Sequence, residues 1–320
     1  MKTILVTGGA GYIGSHTSHE LVKQGYDVVV FDNLEHGHKE FIPKNAVFYL
    51  GNLSDATSLE KVFIENRIDA VIHFAAYTLV DESMSNPIKY LHNNVANAIN
   101  LLNTMNKFNV KNIVFSSTCA VYGVPKKVPL EETHPKNPVN YYGLAKSMFE
   151  QALEASKAQG INYVALRYFN AAGAAFGIGE KHNPETHLIP LVLEAALGKR
   201  DHIKILGTDY PTKDGTCIRD YIHVLDLASA HILSLKFTEK GKSGVYNLGT
   251  GKGSSVKEII ALCKEITKKE IKTVNEKRRE GDPPELVASS SKIQKELGWK
   301  PQYDTRDIIK SAWDWHKKQN

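Results

Sequence analysis

Three observations predict an α/β fold, a Rossmann-like doubly wound parallel sheet followed by a smaller C-terminal α/β substrate domain. Short apolar runs alternate with amphipathic stretches through the first half of the chain. A glycine-rich turn follows the first run and opens the first amphipathic stretch. An aspartate closes the second run, about eighteen residues past the last of those glycines. Strand, helix, strand, helix in this order implies parallel strands joined by crossover helices.

The strands are expected at 4–6, 28–31, 47–50, 70–74, 113–116 and 163–167. Their continuous apolar character fits strands buried on both faces. The intervening helices are expected at 12–25, 55–66, 88–107 and 142–159, with Gly25 and Gly160 where C-terminal caps belong. After about residue 170 glycines, prolines and polar residues punctuate 171–187 and 207–220. Helices follow near 188–198 and 225–237, a strand at 244–248 and a helix at 255–268. The last helix, near 305–317, carries Trp313 and Trp315. The division is 1–170 and 171–320, with some segments of the second part packing back on the first. No internal repeat is visible.

The chain has 320 residues, 42% hydrophobic and 23% charged, enough for a proper core and unlike a disordered, collagenous or coiled-coil sequence. The net charge of +5 is spread along the chain. Its densest runs, around Lys264–Lys272, Lys277–Arg279 and Lys317–Lys318, read as solvated helix faces, without the interleaved aromatics of a single-strand binder. No nucleic-acid partner is expected. Cys119, Cys217 and Cys263 are odd in number and far apart, so neither a disulfide framework nor a cysteine zinc site is expected, and no metal is assigned. Reduced thiols suit the cytoplasm. The N-terminal apolar run is too short for a signal peptide, and no stretch reaches the ~18 apolar residues of a membrane span.

The turn Thr7-Gly8-Gly9-Ala10-Gly11-Tyr12-Ile13-Gly14 reads as a phosphate cradle. Gly8 allows the tight turn, Gly11 admits a pyrophosphate close to the backbone, and Gly14 lets helix and strand pack closely. The phosphates then meet free N–H groups at the positive end of a helix. A glycine motif alone is weak evidence. The strand before it, the helix after it and Asp32 raise its weight. Asp32 would accept a ribose 2′-hydroxyl and repel a 2′-phosphate. Asn33 and Leu34 follow it in place of an arginine, so NAD is expected over NADP.

Tyr142 and Lys146 lie one helical turn apart on the same face. Such pairs are frequent by chance, and position carries the argument: this one starts a long helix after the fifth strand. A free phenol, with a pKa near ~10, is a poor base at neutral pH. A nearby ammonium, and a positive nicotinamide, would favour the phenolate and let Tyr142 accept a proton from a sugar hydroxyl. Ser116, Ser117 and Thr118 end the preceding strand at the carboxyl edge of the sheet, where Thr118 could hydrogen-bond the reacting hydroxyl.

The segments TGGAGYIGSH at the start, HFAA at 73–76, SSTCAVYG at 116–123, YYGLAK at 141–146, RYFNAAG at 167–173, RDYIHVLDLA at 219–228 and RREGDPPELVAS at 278–289 together resemble the UDP-glucose 4-epimerases, of the extended short-chain dehydrogenase/reductase family. The resemblance spans nearly the whole chain, and its substrate-half motifs are the more specific. It implies an NAD-dependent isomerase that inverts C4 of a UDP-sugar, with NAD held by the first part and the nucleotide sugar by the second. Thr118, Tyr142 and Lys146 match the catalytic set. Gly8, Gly11, Tyr12, Ile13, Gly14, Asp32, Asn33, Asn52, Leu53, Phe74, Ala75, Ala76, Asn93, Ser116, Tyr142, Lys146 and Phe169 match cofactor positions. Asn170, His187, Leu188, Lys204, Ile205, Leu206, Arg219, the stretch from Arg279 to Asp282, and Leu286 match nucleotide-sugar positions, as Thr118 does. The arginines suit a diphosphate because guanidinium forks match phosphate oxygens. The resemblance also implies a homodimer through the helices at 88–107 and 142–159.

This chain departs from the family pattern at four places. Asn52-Leu53 stands where many relatives have Asp-Ile, Thr78 where some have Lys, and His187 where some have Asn. Leu286 stands where relatives carry Tyr, Cys or Ser at a position thought to limit the sugar pocket. Other readings share the early chemistry. A 4,6-dehydratase needs an Asp-Glu pair after the threonine, and here Cys119 and Ala120 cannot protonate a leaving hydroxyl. Epimerases of N-acetylhexosamine, pentose or uronate sugars stay open, as does a net dehydrogenase. A non-catalytic NAD-sensing protein would not need the Tyr142/Lys146 pair.

Overall fold

The computed structural model describes residues 1–279 and 281–319. The chain runs β1 (Thr3–Thr7), α1 (Tyr12–Lys23), β2 (Asp27–Asp32), β3 (Val47–Leu50), α2 (Ala56–Glu65), β4 (Ala70–His73), α3 (Val80–Ser85), α4 (Pro87–Leu91), α5 (Asn97–Lys107), β5 (Asn112–Thr118), α6 (Tyr141–Ser156), β6 (Asn162–Tyr168) and β7 (Asn170–Ala172). It continues through α7 (Leu188–Ala196), β8 (Ile203–Leu206), β9 (Ile218–His223), α8 (Val224–Thr238), β10 (Gly244–Leu248), β11 (Gly253–Ser255), α9 (Val256–Thr267), β12 (Thr273–Glu276), β13 (Glu285–Leu286), α10 (Ser291–Leu297) and α11 (Thr305–His316).

Seven parallel strands form the main sheet in the order β10-β6-β5-β4-β1-β2-β3. The order reverses on either side of β1, where Thr7 pairs with both Phe31 and His73. A crevice opens there at the carboxyl ends of the strands, the usual ligand position of such sheets. One face is covered by α2, α5 and α6 through Leu59, Phe63, Leu101, Met105, Phe149 and Leu153. The other is covered by α1 and α8 through Leu21, Leu227, Ala230 and Leu235, with Trp299 sealing the edge. Thus α8 and β10, both from the second half of the chain, complete the first layer. A separate core of α7, α9, α11, β8 and β9 holds Val192, Ile205, Ile259 and Trp313.

The expectation of strands buried on both faces holds for β1, β2 and β4 but not for β3. Val47 is 49% exposed and Leu50 66%. The cause is position: β3 is the sheet edge, paired on one side only. The helix expected at 88–107 is broken by a π-turn at His92–Ala96 between α4 and α5. Turns of this kind concentrate at functional sites, and here the turn places Asn93 on the crevice wall. The strands β7, β8, β9, β11, β12 and β13 were not expected. Most span two to four residues, too short to show a period.

Candidate active site

A cavity of about 1360 Å³ occupies the crevice and continues towards the second core. At its inner end Gly8 turns with φ +72°, where a Cβ would lie 2.5 Å from the Ala75 amide nitrogen. A Cβ on Gly14 would run into the Gly8 carbonyl. Any larger residue at either position would close the turn. The N-cap of α1 is Gly11, and no side chain caps the first turn or places an acid in it. The first-turn N–H groups therefore face the crevice at the positive end of a twelve-residue helix.

Asp32, at the end of β2, accepts hydrogen bonds from the Ala10 amide at 3.0 Å and the Leu34 amide at 2.8 Å. Burial lifts its pKa above the usual carboxylate value, and the two amides, with His36 and His38, pull it back. Gly37 leaves room beside it, since a Cβ there would lie 2.8 Å from Asp32 Oδ1. All the residues matched to cofactor positions line the cavity: Gly8, Gly11, Tyr12, Ile13, Gly14, Asp32, Asn33, Asn52, Leu53, Phe74, Ala75, Ala76, Asn93, Ser116, Tyr142, Lys146 and Phe169. Thr78 lines it too.

Helix α6 starts at an Asn140 cap, whose side chain accepts from the Gly143 amide. That start sets Tyr142 in the first turn and Lys146 one turn on, both against the end of β5. Lys146 is 2% exposed, and its Nζ donates to the Ser116 carbonyl at 2.7 Å. Burial pushes this lysine down to about 7, and Glu150 opposes the shift. Glu150 is itself held by Ser117 at 2.6 Å and by a two-point bond from Arg167 at 2.8 and 2.6 Å, which anchors α6 to β5 and β6. Burial raises the Tyr142 phenol to about 12, the Thr118 hydroxyl beside it pulls down, and Cys119 adds to the rise. Burial thus works against the phenolate that Lys146 and a nicotinamide are expected to favour.

On the sugar side the cavity is lined by Thr118, Asn170, His187, Arg219, Arg279, Asp282 and Leu286. Glu280, inside the matched stretch, lies outside the described residues. Arg219 donates to the Ile218 and Pro283 carbonyls, both at 2.9 Å, and pairs with Asp282 at 3.3 Å. Four of the matched positions do not reach the wall. Leu188 packs into the second core, and Ile205 is buried there. Lys204 is exposed and pairs with Glu276 of the neighbouring strand β12 at 3.4 Å. Leu206, at the end of that pairing, is also off the wall.

Two groups of wall residues were missed. Tyr77 lines the crevice and donates to Glu35 at 2.8 Å, while the Asn94 side chain clamps its backbone amide and carbonyl, both at 2.9 Å. Nothing in the local sequence marks them. The second group is Glu180, His182 and Glu185, clustered with the already matched His187 on the loop before α7, Glu185 itself lying off the wall. Burial opposes charge on both histidines, yet the carboxylates outweigh it and raise His182 to about 9 and His187 to about 10. Four such residues within eight positions were a legible signal.

A profile of the NAD dependent epimerase/dehydratase family matches residues 4–249. A UDP-glucose 4-epimerase of Lacticaseibacillus casei is 51% identical over 320 residues, covering 98% of this chain and 97% of its own. A crystal structure of a UDP-glucose 4-epimerase is similar at TM-score 0.97 and 50% identity, covering 99% of this chain and 98% of its own. A UDP-glucose 4-epimerase from Brucella ovis in complex with NAD is similar at TM-score 0.95 and 43% identity, with 98% of each chain covered.

Proposed function

The chain belongs to the NAD dependent epimerase/dehydratase family, and from that premise we propose that it interconverts UDP-galactose and UDP-glucose by inverting C4 of the sugar. One observation carries the reading: Thr118, Tyr142 and Lys146 meet where the nucleotide cradle ends, in a cavity that continues to Arg219 and Arg279. The cofactor is NAD. The Gly8 and Gly14 cradle, the uncapped start of α1 and the Asp32 carboxylate fit it. When bound, NAD supplies a hydride acceptor and returns the same hydride.

Tyr142 takes the proton of the C4 hydroxyl, and Thr118 orients that hydroxyl and lowers the phenol pKa. Lys146 holds the end of β5 through the Ser116 carbonyl and contributes positive charge beside the phenol. Loss of proton and hydride from the sugar gives a 4-keto sugar. Arg219 and Arg279 keep its diphosphate by charge-assisted hydrogen bonds. The keto sugar turns about its link to the diphosphate, receives hydride on the opposite face, and regains a proton from Tyr142. Cys119 and Ala120 supply no acid to expel a hydroxyl, which argues against 4,6-dehydration. Following UDP-galactose by NMR tests the reading: UDP-glucose is the expected product, and a 4-keto-6-deoxy sugar or no turnover would overturn it.

Residues 1–170 principally hold the cofactor and 171–320 the nucleotide sugar, with α8 and β10 shared between them. The enzyme is a homodimer joined through α4–α5 and α6. Ile88, 74% exposed, Ile99, Tyr141 and Met148 give these helices an apolar outer face that a second copy would cover. It works in the cytoplasm, where the free thiols of Cys119, Cys217 and Cys263 stay reduced. Among the described residues no helix is long and apolar enough to cross a membrane.

A further inference from the structure

We propose that Glu180, His182, Glu185 and His187 form a tetrahedral zinc site that fixes the loop between β7 and α7 beside the cofactor cleft. Each side chain offers one ligand atom, and the four atoms lie within 4.8 Å of one another. His187 Nδ1 is 2.9 Å from Glu180 Oε1 and 3.0 Å from Glu185 Oε1, and His182 Nδ1 is 3.3 Å from Glu180 Oε1 and 3.7 Å from Glu185 Oε2. A tetrahedral zinc with bonds of 2.0–2.2 Å separates neighbouring ligand atoms by about 3.4 Å. These nitrogen–oxygen separations, which involve both Glu185 oxygens, lie on either side of that value, and with the ligand atoms spread over as much as 4.8 Å the ion would draw the side chains together.

An internal ion-pair network is the simpler reading of two histidines and two glutamates, and it leaves one buried ring nitrogen without a hydrogen bond. Of the four nitrogen–oxygen approaches only His187 to Glu185 has the geometry of a hydrogen bond. The His182 Nδ1 atom is buried without a hydrogen-bond partner, although two carboxylates stand close by. That nitrogen is thus available to a metal ion. Two imidazoles and two carboxylates suit zinc, and a closed set of four protein ligands is a structural site rather than a catalytic one. The earlier expectation of no metal rested on the scattered cysteines alone.

The surroundings orient the ligands. Glu185 Oε1 accepts the Thr186 and His187 amides, both at 2.8 Å, which leaves Oε2 on the His182 side. The His182 ring meets the Tyr12 ring edge-on at 6.2 Å. The Tyr12 hydroxyl in turn donates to the Gly173 carbonyl at 2.5 Å. His187 is the N-cap of α7. One ion would therefore tie the start of α7 to the first turn of α1, from both sides of the cleft.

The test uses tag-free protein carrying its cofactor, stripped of metal with a chelator and titrated with zinc chloride by calorimetry. Wild type should bind one zinc per chain, and zinc should raise its unfolding midpoint. His182→Gln and Glu185→Gln should each weaken zinc binding more than about 100-fold, beyond the 10–100-fold typical of outer-shell changes. Both variants should match chelated wild type in unfolding midpoint without zinc, and zinc should not raise it. An ion-pair cluster without metal would appear as no binding and no zinc-dependent stabilisation in wild type. Equal zinc binding by wild type and both variants would place any zinc elsewhere. Either result would overturn the proposal.

Discussion

Lys146 Nζ lies 5.9 Å from the centre of the Tyr142 ring, one turn along the same helix, while it donates to the Ser116 carbonyl at 2.7 Å. The lysine is thus anchored to the end of β5 and acts on the phenol through space. When protonated, it favours the phenolate over the phenol. Burial works against both charged forms, pushing Tyr142 to about 12 and Lys146 to about 7. Tyr142→Phe should therefore lower kcat by roughly 10²–10⁴ through loss of the base. Lys146→Met should also be severe. The double variant should be little worse than the worse single, because the two act as a unit. Steady-state rates of the three variants, with folding checked by circular dichroism, decide this; multiplicative losses would show that the residues act independently.

Thr118 lowers the Tyr142 pKa and should move the pH dependence. A base that must be deprotonated gives a rate that rises with pH up to its apparent pKa. Removing the Thr118 hydroxyl raises that pKa, so Thr118→Val should shift the acidic limb of kcat/KM to higher pH. A hydrogen bond of ~1 kcal/mol corresponds to about half to one pH unit. The loss of rate should be smaller than for Tyr142→Phe. A pH–rate profile with an unmoved limb would show that Thr118 does not touch the reacting phenol.

Asp32 should select NAD. Both its oxygens already accept backbone amides, which fix the carboxylate on the cavity wall. Asp32→Ala should weaken NAD binding and narrow the preference over NADP. Equilibrium binding of the two cofactors to both proteins measures it. Equal binding by the unaltered protein would refute the charge argument.

Leu286 lines the cavity on β13 and packs against the cluster of Val121, Tyr122 and Phe169. Its side chain is smaller than Tyr and larger than Cys. UDP-glucose and UDP-galactose should be preferred to their N-acetyl forms. Leu286→Tyr should narrow the range and Leu286→Cys widen it, with the plain hexoses changed less. The readout is the ratio of kcat/KM for the two substrate pairs; a ratio that does not move would take Leu286 out of the sugar pocket.

The first half of the fold was legible because its strands are buried and apolar and its helices have full amphipathic periods. Gly8, Gly14 and Asp32 were legible because each satisfies a local steric or charge demand of the nucleotide cradle. The edge position of β3 was not, since Val47 and Leu50 are apolar whether covered or exposed. Strands β7 and β9 form through pairing partners distant in sequence, and no local pattern records that. Position matching placed Lys204 to Leu206 at the nucleotide, yet Ile205 is buried in the second core and Lys204 is exposed beside Glu276. The burial of Lys146 and Tyr142 depends on β5, β6 and α6 closing together. Their opposed pKa shifts could not be read from a four-residue spacing.

Conversion of UDP-galactose carrying deuterium at C4 tests the central claim most directly. If hydride leaves C4 and returns within one closed site, UDP-glucose forms with the deuterium still at C4, and no NADH accumulates with turnover. Loss of the label to water, or NADH released in proportion to product, would contradict the account.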